Sequence, residues 1–403
     1  MRATPDDLFL CFLFSVLCPF CTFPVASCKA APSGTKPTLP AFAVSPILFW
    51  MLKSKNLSAA ALLLVISSAL AACGRDNRVA ETKPEQTVQP EPTRIVFVTD
   101  WKAQAEHGGF YEALAEGLYS KSGLQISLMQ GGPGVNVPQL IAGGAADFGI
   151  GSNGFIPLNM LKEGVKMKAV MAAFQKDPQV LMTHPRGDVK RLADMKDKPI
   201  MISDAATSAF WPWLKAKYGF SDSQIRRYTF NLAPFLVDPK AIQEGYVSSE
   251  PYTAEREGHF KPQVFLLADN GYPGYANMVL APQKWIDEKP EMVQAFVNAS
   301  IEGWMDYLYG DPAPANGLIK KDNPEMTDAL IAQAIDKMKS YGIAMSGDAG
   351  SLGLGSMTDA RWKLFFDTMS SEGLYDPKLP YSQAYDLRFI NKKVGLEKIR
   401  TAP

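Results

Sequence analysis

Hydrophobic residues from Thr93 onward alternate between short β-type runs and segments with helical spacing. The β-type runs predict strands at 94–98, 124–128, 147–151, 167–174, 199–202, 227–230, 246–248 and 277–280. Helical spacing predicts helices at 110–118, 137–141, 154–162 and 208–218, followed by mainly helices from 290 to 373. Strands that alternate with helices over short connections predict parallel sheets covered on both faces. Because the strands fall into two series, we expect an α/β protein with two lobes.

The two series are joined where proline and glycine interrupt the pattern. We expect the chain to cross between lobes at 175–185 and again at 269–275. The predicted division is a first lobe from 94–180 and 273–345, a second lobe from 181–272, and a helical C-terminal segment at 346–403.

The stretch that begins at Met51 has the order of features of a secretory signal. Lys53 and Lys55 precede an apolar run from Leu57 to Leu70, and small residues lead to Cys73. The last four residues also resemble the bacterial lipobox, in which the signal is cut before a cysteine that is then diacylated. We therefore expect residues 51–73 to be a lipoprotein signal peptide with Cys73 as the lipidated residue. The alternative is a short buried helix.

The residues on either side of this signal differ in composition from the α/β region. Residues 1–50 contain four of the five cysteines. We interpret them as a leader that arises because the start codon is assigned upstream of the true one. A tandem or genuine leader is the alternative. Residues 74–93 are polar and proline-rich, which predicts a flexible tether. No cysteine follows Cys73, which excludes disulfides and C-x-x-C chemistry from the rest of the chain. Charge is balanced at 41 basic and 41 acidic residues, so nucleic-acid binding is not expected.

Several short motifs carry a resemblance to a known family. They are Thr99-Asp100-Trp101, His107-Gly108-Gly109-Phe110-Tyr111, Glu116-Gly117-Leu118-Tyr119, the run 138–149, Leu192-Ala193-Asp194-Met195-Lys196 and Ser249-Glu250-Pro251-Tyr252. Together they resemble the NMT1/THI5-like substrate-binding proteins of ABC importers. The resemblance implies the type II periplasmic-binding-protein fold, in which two α/β lobes are joined by two crossover strands. It also implies a permease and an ATPase as partners. From the signal-like stretch that ends at Cys73 we expect an exported, periplasmic monomer that is anchored to the cell membrane by its lipid.

The carboxyl ends of the predicted strands indicate where a ligand would bind. In open parallel sheets ligands bind beyond these ends. The rule selects residues from both lobes, and aromatic neighbours complete the candidate set: Asp100, Trp101, Tyr111, Ser152, Asn153, Asp204, Thr207, Glu250 and Tyr252.

Each main candidate has a structural alternative. Trp101 could stack on a flat ring or lie on the lobe surface. Glu250, which we expect at a strand mouth because Pro251 stops the strand, could accept hydrogen bonds from an amino group or form a hinge or surface salt bridge. Asn153 could contact ligand or cap the following helix. Asp204 to Ser208 precede a helix whose amides could bind an anion, although Asp204 adds negative charge.

These residues favour binding over catalysis. None of the three histidines has metal-ligand spacing or a neighbouring nucleophile, so neither a metal nor a cofactor is expected. Trp101 and Glu250 together favour a neutral or weakly basic heteroaromatic ligand, such as a pyrimidine precursor of thiamine. A sulfonate, nitrate or riboflavin-type ligand remains the alternative. A pyrimidine-synthesising enzyme of the same fold is a further alternative, although the cysteine motif of those enzymes is absent.

Overall fold

The computed structural model describes residues 91–132 and 134–397. Its ten strands are β1 (Thr93–Val98), β2 (Leu124–Met129), β3 (Phe148–Asn153), β4 (Met167–Phe174), β5 (Gln179–Thr183), β6 (Ile200–Ile202), β7 (Ile225–Arg227), β8 (Ile242–Tyr246), β9 (Gln263–Leu266) and β10 (Ala276–Pro282). The predicted signal peptide, Cys73 and most of the tether lie outside the described residues.

Helices separate most of these strands. Before β10 they are α1 (Gly108–Ala115), α2 (Leu118–Lys121), α3 (Val137–Ala142), α4 (Phe155–Lys162), α5 (Phe210–Tyr218), α6 (Ala233–Val237) and α7 (Glu250–Gly258). After it come α8 (Gln283–Glu288), α9 (Pro290–Tyr309), α10 (Ala313–Asp322), α11 (Asp328–Ser340), α12 (Ala349–Leu352) and α13 (Asp359–Ser371). Within the described ranges, no helix has the length and apolar character needed to cross a bilayer.

The strands form two five-stranded sheets, which confirms the two α/β lobes. Lobe 1 has the order β2-β1-β3-β10-β4, and lobe 2 has the order β7-β6-β8-β5-β9. The prediction of purely parallel sheets is wrong, because β10 runs antiparallel to β3 and β4, and β5 runs antiparallel to β8 and β9. In each sheet the antiparallel strand is the one by which the chain enters from the other lobe.

The predicted strand at 246–248 is also wrong. β8 ends at Tyr246, and Val247 to Ser249 form the turn that leads into α7. Pro251 does not stop a strand, since it lies in the first turn of α7, where its missing N–H has no helical partner to lose. The segments that became β5 and β9 were not predicted as strands.

The chain passes between the lobes twice. Residues 175–178 connect β4 to β5, and residues 267–275 connect β9 to β10. We call these the first and second crossing segments. They lie side by side, since Lys176 Nζ is 3.1 Å from Asp269 Oδ1.

Helix α1 packs unusually closely on α9 in lobe 1. Added Cβ atoms at Gly108 and Gly109 would lie 2.0 and 2.1 Å from the rings of Tyr307 and Trp304. The two glycines of the His107-Gly108-Gly109 motif therefore allow the rings of α9 to lie directly on the backbone of α1. The short 3-10 turn Ala105–His107 directly precedes α1.

The C-terminal segment completes lobe 1. It pairs with β4 through isolated bridges between Ala172 and Gly355 and between Ala169 and Tyr385. The backbone N–H of Asp386 also donates to the carbonyl of Ala169 at 2.9 Å. These contacts cover the outer edge of β4, which would otherwise present unpaired backbone groups.

Candidate functional site

Polar side chains from lobe 1 meet where β1 and β3 end. Asp100 follows β1, and its Oδ2 accepts a hydrogen bond from the Ser152 hydroxyl of β3 at 2.5 Å. The other carboxylate oxygen, Oδ1, lies 3.1 Å from His107 Nε2. This geometry follows from the parallel pairing of β1 with β3, which brings both carboxyl ends to one edge of the sheet.

An aromatic contact joins the two lobes beside this cluster. The half-buried Trp101 of lobe 1 lies against Phe230 of lobe 2, with ring centroids 3.9 Å apart and planes inclined by 46°. Phe230 has a φ of 63°, which is uncommon for a bulky residue. Its ring is also supported by Tyr228 at a centroid distance of 4.9 Å. The two rings close the cleft from opposite sides.

A buried acid makes the second contact between lobes. The Ser248 hydroxyl of lobe 2 donates to Glu106 Oε1 of lobe 1. The Asn277 amide donates to the Glu106 carbonyl at 2.6 Å, which holds the 3-10 turn against β10. Glu106 is 3% exposed, and burial raises the pKa of its carboxyl. The described conformation is therefore one in which the lobes touch through both an aromatic pair and a hydrogen bond.

Lobe 2 contributes two more carboxyl groups near the cleft. Glu250 Oε2 accepts from the Tyr246 backbone N–H at 2.8 Å, and its Oε1 is 3.4 Å from the Tyr228 hydroxyl. Glu244 Oε1 accepts from the Ser203 N–H at 2.7 Å. Burial raises the pKa of the Glu250 carboxyl and raises that of Glu244 to about 7. Glu250 is therefore bound within its own lobe and is not a free carboxylate at a strand mouth.

Two other candidates of lobe 1 have internal partners. Asn153 Oδ1 accepts from the Phe155 N–H at 3.1 Å, at the start of α4, whose N-cap residue is Gly154. Tyr111 is 1% exposed, and its hydroxyl donates to Asp322 at 2.9 Å. Tyr111 belongs to the packing of the lobe, with its phenol directed to α10.

The remaining candidates lie toward the surface of lobe 2. Asp204 pairs with Arg227 at 2.9 Å, and both side chains are more than 70% exposed, at 78% and 72%. Thr207 donates its hydroxyl to the Asp204 carbonyl at 2.6 Å. Tyr252 is half-buried on α7, with Arg256 6.0 Å from its ring centre. We call Asp100, Trp101, Ser152 and Phe230 the Trp101 cluster. No described contact brings Asp204, Thr207 or Tyr252 into it.

Sequence reasoning missed Glu106, Phe230 and Ser248. Phe230 was placed in a predicted strand, although β7 ends at Arg227 and Phe230 lies in the following loop. Ser248 was likewise placed in a strand. Glu106 directly precedes the His107-Gly108-Gly109 motif, and its place beside that motif was the available signal.

The cleft is rich in carboxyl groups. Among residues 91–132 and 134–397, no lysine or arginine forms an ion pair or hydrogen bond with Asp100, Glu106, Glu244 or Glu250. The carboxyls of Asp100 and Glu106 are close enough to Tyr246 to raise the pKa of its phenol, although burial is the larger cause. The part of the chain that the structure describes contains no group of three or more histidine, cysteine, aspartate or glutamate residues placed to hold a metal ion. The surroundings favour a ligand that donates hydrogen bonds.

Acidic groups buried in this way make stability depend on pH. The Glu244 carboxyl has a pKa of about 7 in the folded chain, against 4.5 in an exposed chain. Between these values the unfolded chain releases a proton that the folded chain keeps, so the free energy of unfolding falls as pH rises and levels off above about 7. We expect the free energy of unfolding of Glu244→Gln, taken relative to that of the parent chain, to rise by about 2 kcal/mol from pH 5 to pH 8. Urea denaturation at a series of pH values measures this difference.

The matched control is Glu288→Gln, an exposed position on α8. Its unfolding free energy should stay parallel to that of the parent chain across the same pH range. A Glu244→Gln curve that is also parallel would contradict the assignment of a proton to Glu244 near neutral pH.

Comparison with known proteins places the chain in a family. The NMT1/THI5 like family model matches residues 104–315, which include both crossing segments and all of lobe 2. The riboflavin-binding protein RibY of Chloroflexus aurantiacus is 22% identical over 354 residues, covering 84% of this chain and 99% of that protein.

Solved structures agree at the level of the fold. The periplasmic aliphatic sulphonate-binding protein SsuA of Escherichia coli superposes with a TM-score of 0.55 at 15% identity, covering 74% of this chain and 92% of that one. The alkanesulfonate-binding protein SsuA of Xanthomonas axonopodis pv. citri, bound to MOPS, gives a TM-score of 0.55 at 12% identity and covers 74% and 100%. The two lobes thus have the periplasmic-binding-protein fold, as expected from the sequence, and the chain belongs to the NMT1/THI5-like family.

Proposed function

We propose that this chain is a monomeric solute-binding protein that holds a small planar nitrogen heterocycle between its lobes and presents it to an ABC permease and ATPase. The observation that carries the proposal is the contact of Trp101 with Phe230 across the cleft, at 3.9 Å between ring centroids. A flat ligand that entered between these rings would gain two aromatic faces, and the lobes need separate by only about 3.5 Å to admit it. The role is capture and release, without covalent chemistry.

The charge of the cleft supports a donor-rich ligand over an anion. Asp100 and Glu106 supply carboxyl oxygens that can accept hydrogen bonds, and Ser152 and Ser248 supply hydroxyl groups that can either donate or accept. A sulfonate would have to be desolvated beside these acids without a lysine or arginine partner, which is unfavourable. An amine, imide or hydroxyl of a heterocycle would instead find acceptors already in place.

Two heterocycle classes satisfy these requirements. Aminopyrimidines offer an exocyclic amine and a ring small enough for a narrow cleft, and they agree with the ligand expected from the sequence. Flavins offer an imide N–H and hydroxyl groups on a larger ring. The similarity to RibY, which is named a riboflavin-binding protein, favours including flavins as the second class.

A thermal-shift screen tests the proposal. The purified protein is heated with an aminopyrimidine bearing a hydroxymethyl group, with riboflavin, with an alkanesulfonate and with nitrate. A ligand at 100 times its dissociation constant should add about 2.7 kcal/mol to the free energy of unfolding. Stabilisation by either heterocycle is the expected result. Stabilisation by the sulfonate or nitrate alone would overturn the ligand class, and conversion of the heterocycle to a new product would overturn the role.

We also propose that the chain is exported and anchored by a lipid on Cys73. The signal-like order of residues from Met51 to Cys73 supports this, together with the polar segment that follows. Expression from Met51 in a bacterium with labelled palmitate should label the protein, and Cys73→Ser should abolish the label and release the protein from membranes. Equal label in the Cys73→Ser variant would contradict the anchor.

A further inference from the structure

The two crossing segments share one side chain from the C-terminal part of lobe 1. Arg361 lies in the first turn of α13, and its Nη2 donates to the carbonyl of Gln175 in the first crossing segment. In the second crossing segment, the carbonyls of Pro273 and Gly274 accept from Nε at 3.3 Å and from Nη2 at 3.4 Å. One guanidinium therefore binds the backbone of both connections between the lobes.

The arginine is itself held in place. Its guanidinium carbon lies 4.4 Å from the ring centre of Tyr275, at the end of the second crossing segment. The Tyr275 hydroxyl donates to Asp348 at 2.6 Å, and Asp348 also accepts from the Thr358 hydroxyl at 3.0 Å. Thr358 is the N-cap of α13, three residues before Arg361. The crossing segment and the helix that carries the arginine are thus parts of one hydrogen-bonded unit.

These contacts depend on the conformation of the crossing segments. Movement of one lobe relative to the other changes the backbone angles of its connections, and carbonyl directions change with them. A planar guanidinium binds carbonyls in a fixed arrangement, so its hydrogen bonds are lost or weakened when that arrangement changes. A lysine at the same place carries the charge but lacks the planar, forked set of N–H donors of a guanidinium.

We propose that Arg361 is a positioning residue for lobe closure, which holds both crossing segments so that Trp101 of lobe 1 stays opposite Phe230 of lobe 2 across a narrow cleft. It contacts no residue of the Trp101 cluster in the described ranges, so it acts through the connections and not through the ligand. Its effect on affinity rests on the proposed function, whereas its effect on the lobes of the ligand-free protein does not.

Small-angle scattering of the ligand-free protein tests this directly. Arg361→Gln should increase the radius of gyration relative to the parent chain, and Arg361→Lys should give an intermediate value. Arg388→Lys is the matched control, because Arg388 is an exposed arginine of the same C-terminal segment whose side chain is paired with Asp386. It should leave the radius unchanged.

Ligand binding gives the second readout. If Arg361→Gln reduces the closed population about fivefold, the apparent affinity for riboflavin or the aminopyrimidine falls about fivefold, and saturation restores the radius of the parent chain. An unchanged ligand-free radius in both Arg361 variants would overturn the proposal. If Arg361→Gln does not fold, the ligand-free radius of gyration of Arg361→Lys decides the test. A protein that binds none of the screened molecules would contradict the proposed function and would leave the ligand-free comparison valid.

Discussion

Replacement of Gly303 by alanine is expected to lower the free energy of unfolding by about 3 kcal/mol or to prevent folding. Gly303 lies at the crossing of α9 with α1, where an added Cβ would be 2.3 Å from the Gly109 carbonyl oxygen and 2.6 Å from the Ala113 nitrogen. Both neighbours are backbone atoms of a helix, so neither can turn aside. The helices would have to separate, and the aromatic packing of Trp304 on Gly109 would be lost. Urea denaturation measures the change.

Gly317→Ala is the matched control within a helix. Gly317 lies in α10, and an added Cβ there meets no atom within 4 Å. Alanine should therefore stabilise the chain by up to about 1 kcal/mol through its higher helix propensity. A Gly303→Ala protein as stable as the parent would contradict the close approach of the two helices.

Trp101→Ala is expected to weaken binding of the heterocycle about fivefold to 150-fold, because stacking on one aromatic face contributes about 1–3 kcal/mol. Phe230→Ala should have a similar effect, since its ring would cover the opposite face of the ligand. The double variant should lose less binding free energy than the two single variants lose together, because both rings contact the same ligand. Calorimetric titration measures the three affinities.

Trp101→Phe should recover part of the affinity, since it keeps an aromatic face. Trp285→Phe provides the control, because Trp285 lies on α8 against Phe148 and Lys289. The Trp285→Phe variant should bind the heterocycle with the same affinity as the parent chain. Binding that is undiminished in both Trp101→Ala and Phe230→Ala would place the ligand elsewhere.

Much of the fold could be predicted from the sequence because local pattern decides it. β4 begins and ends where the apolar run at 167–174 does, and β1 and β2 differ from their predicted bounds by one residue at most. The antiparallel insertion of β5 and β10 could not be predicted in this way, since strand direction depends on pairing between distant parts of the chain. The prolines at 178 and 185 suggested a connection, although the five residues Gln179–Thr183 between them form a central strand of lobe 2.

The candidate site, like the fold, could be predicted from the sequence only in part. The strand-end rule leads to Asp100, Trp101 and Ser152, which lie together because β1 and β3 are parallel neighbours. Phe230 and Ser248 come from loops of the other lobe, and their contacts with Trp101 and Glu106 exist only because the lobes meet. No periodicity within a segment encodes such a contact. The burial of Glu106, and hence the raised pKa of its carboxyl, occurs at this same meeting of the lobes.

Hydrogen exchange with and without a bound heterocycle tests the interlobe site most directly. The ligand is whichever of riboflavin and the aminopyrimidine stabilises the protein, added at saturation. The measured quantity is the exchange rate of backbone amides in two sets of peptides. One set contains Trp101 and Glu106 of lobe 1, and the other contains Phe230 and Ser248 of lobe 2. Ligand held between the lobes predicts slower exchange in peptides from both. Slower exchange in one lobe alone, or in neither while the protein is stabilised, would contradict a site formed by lobe closure.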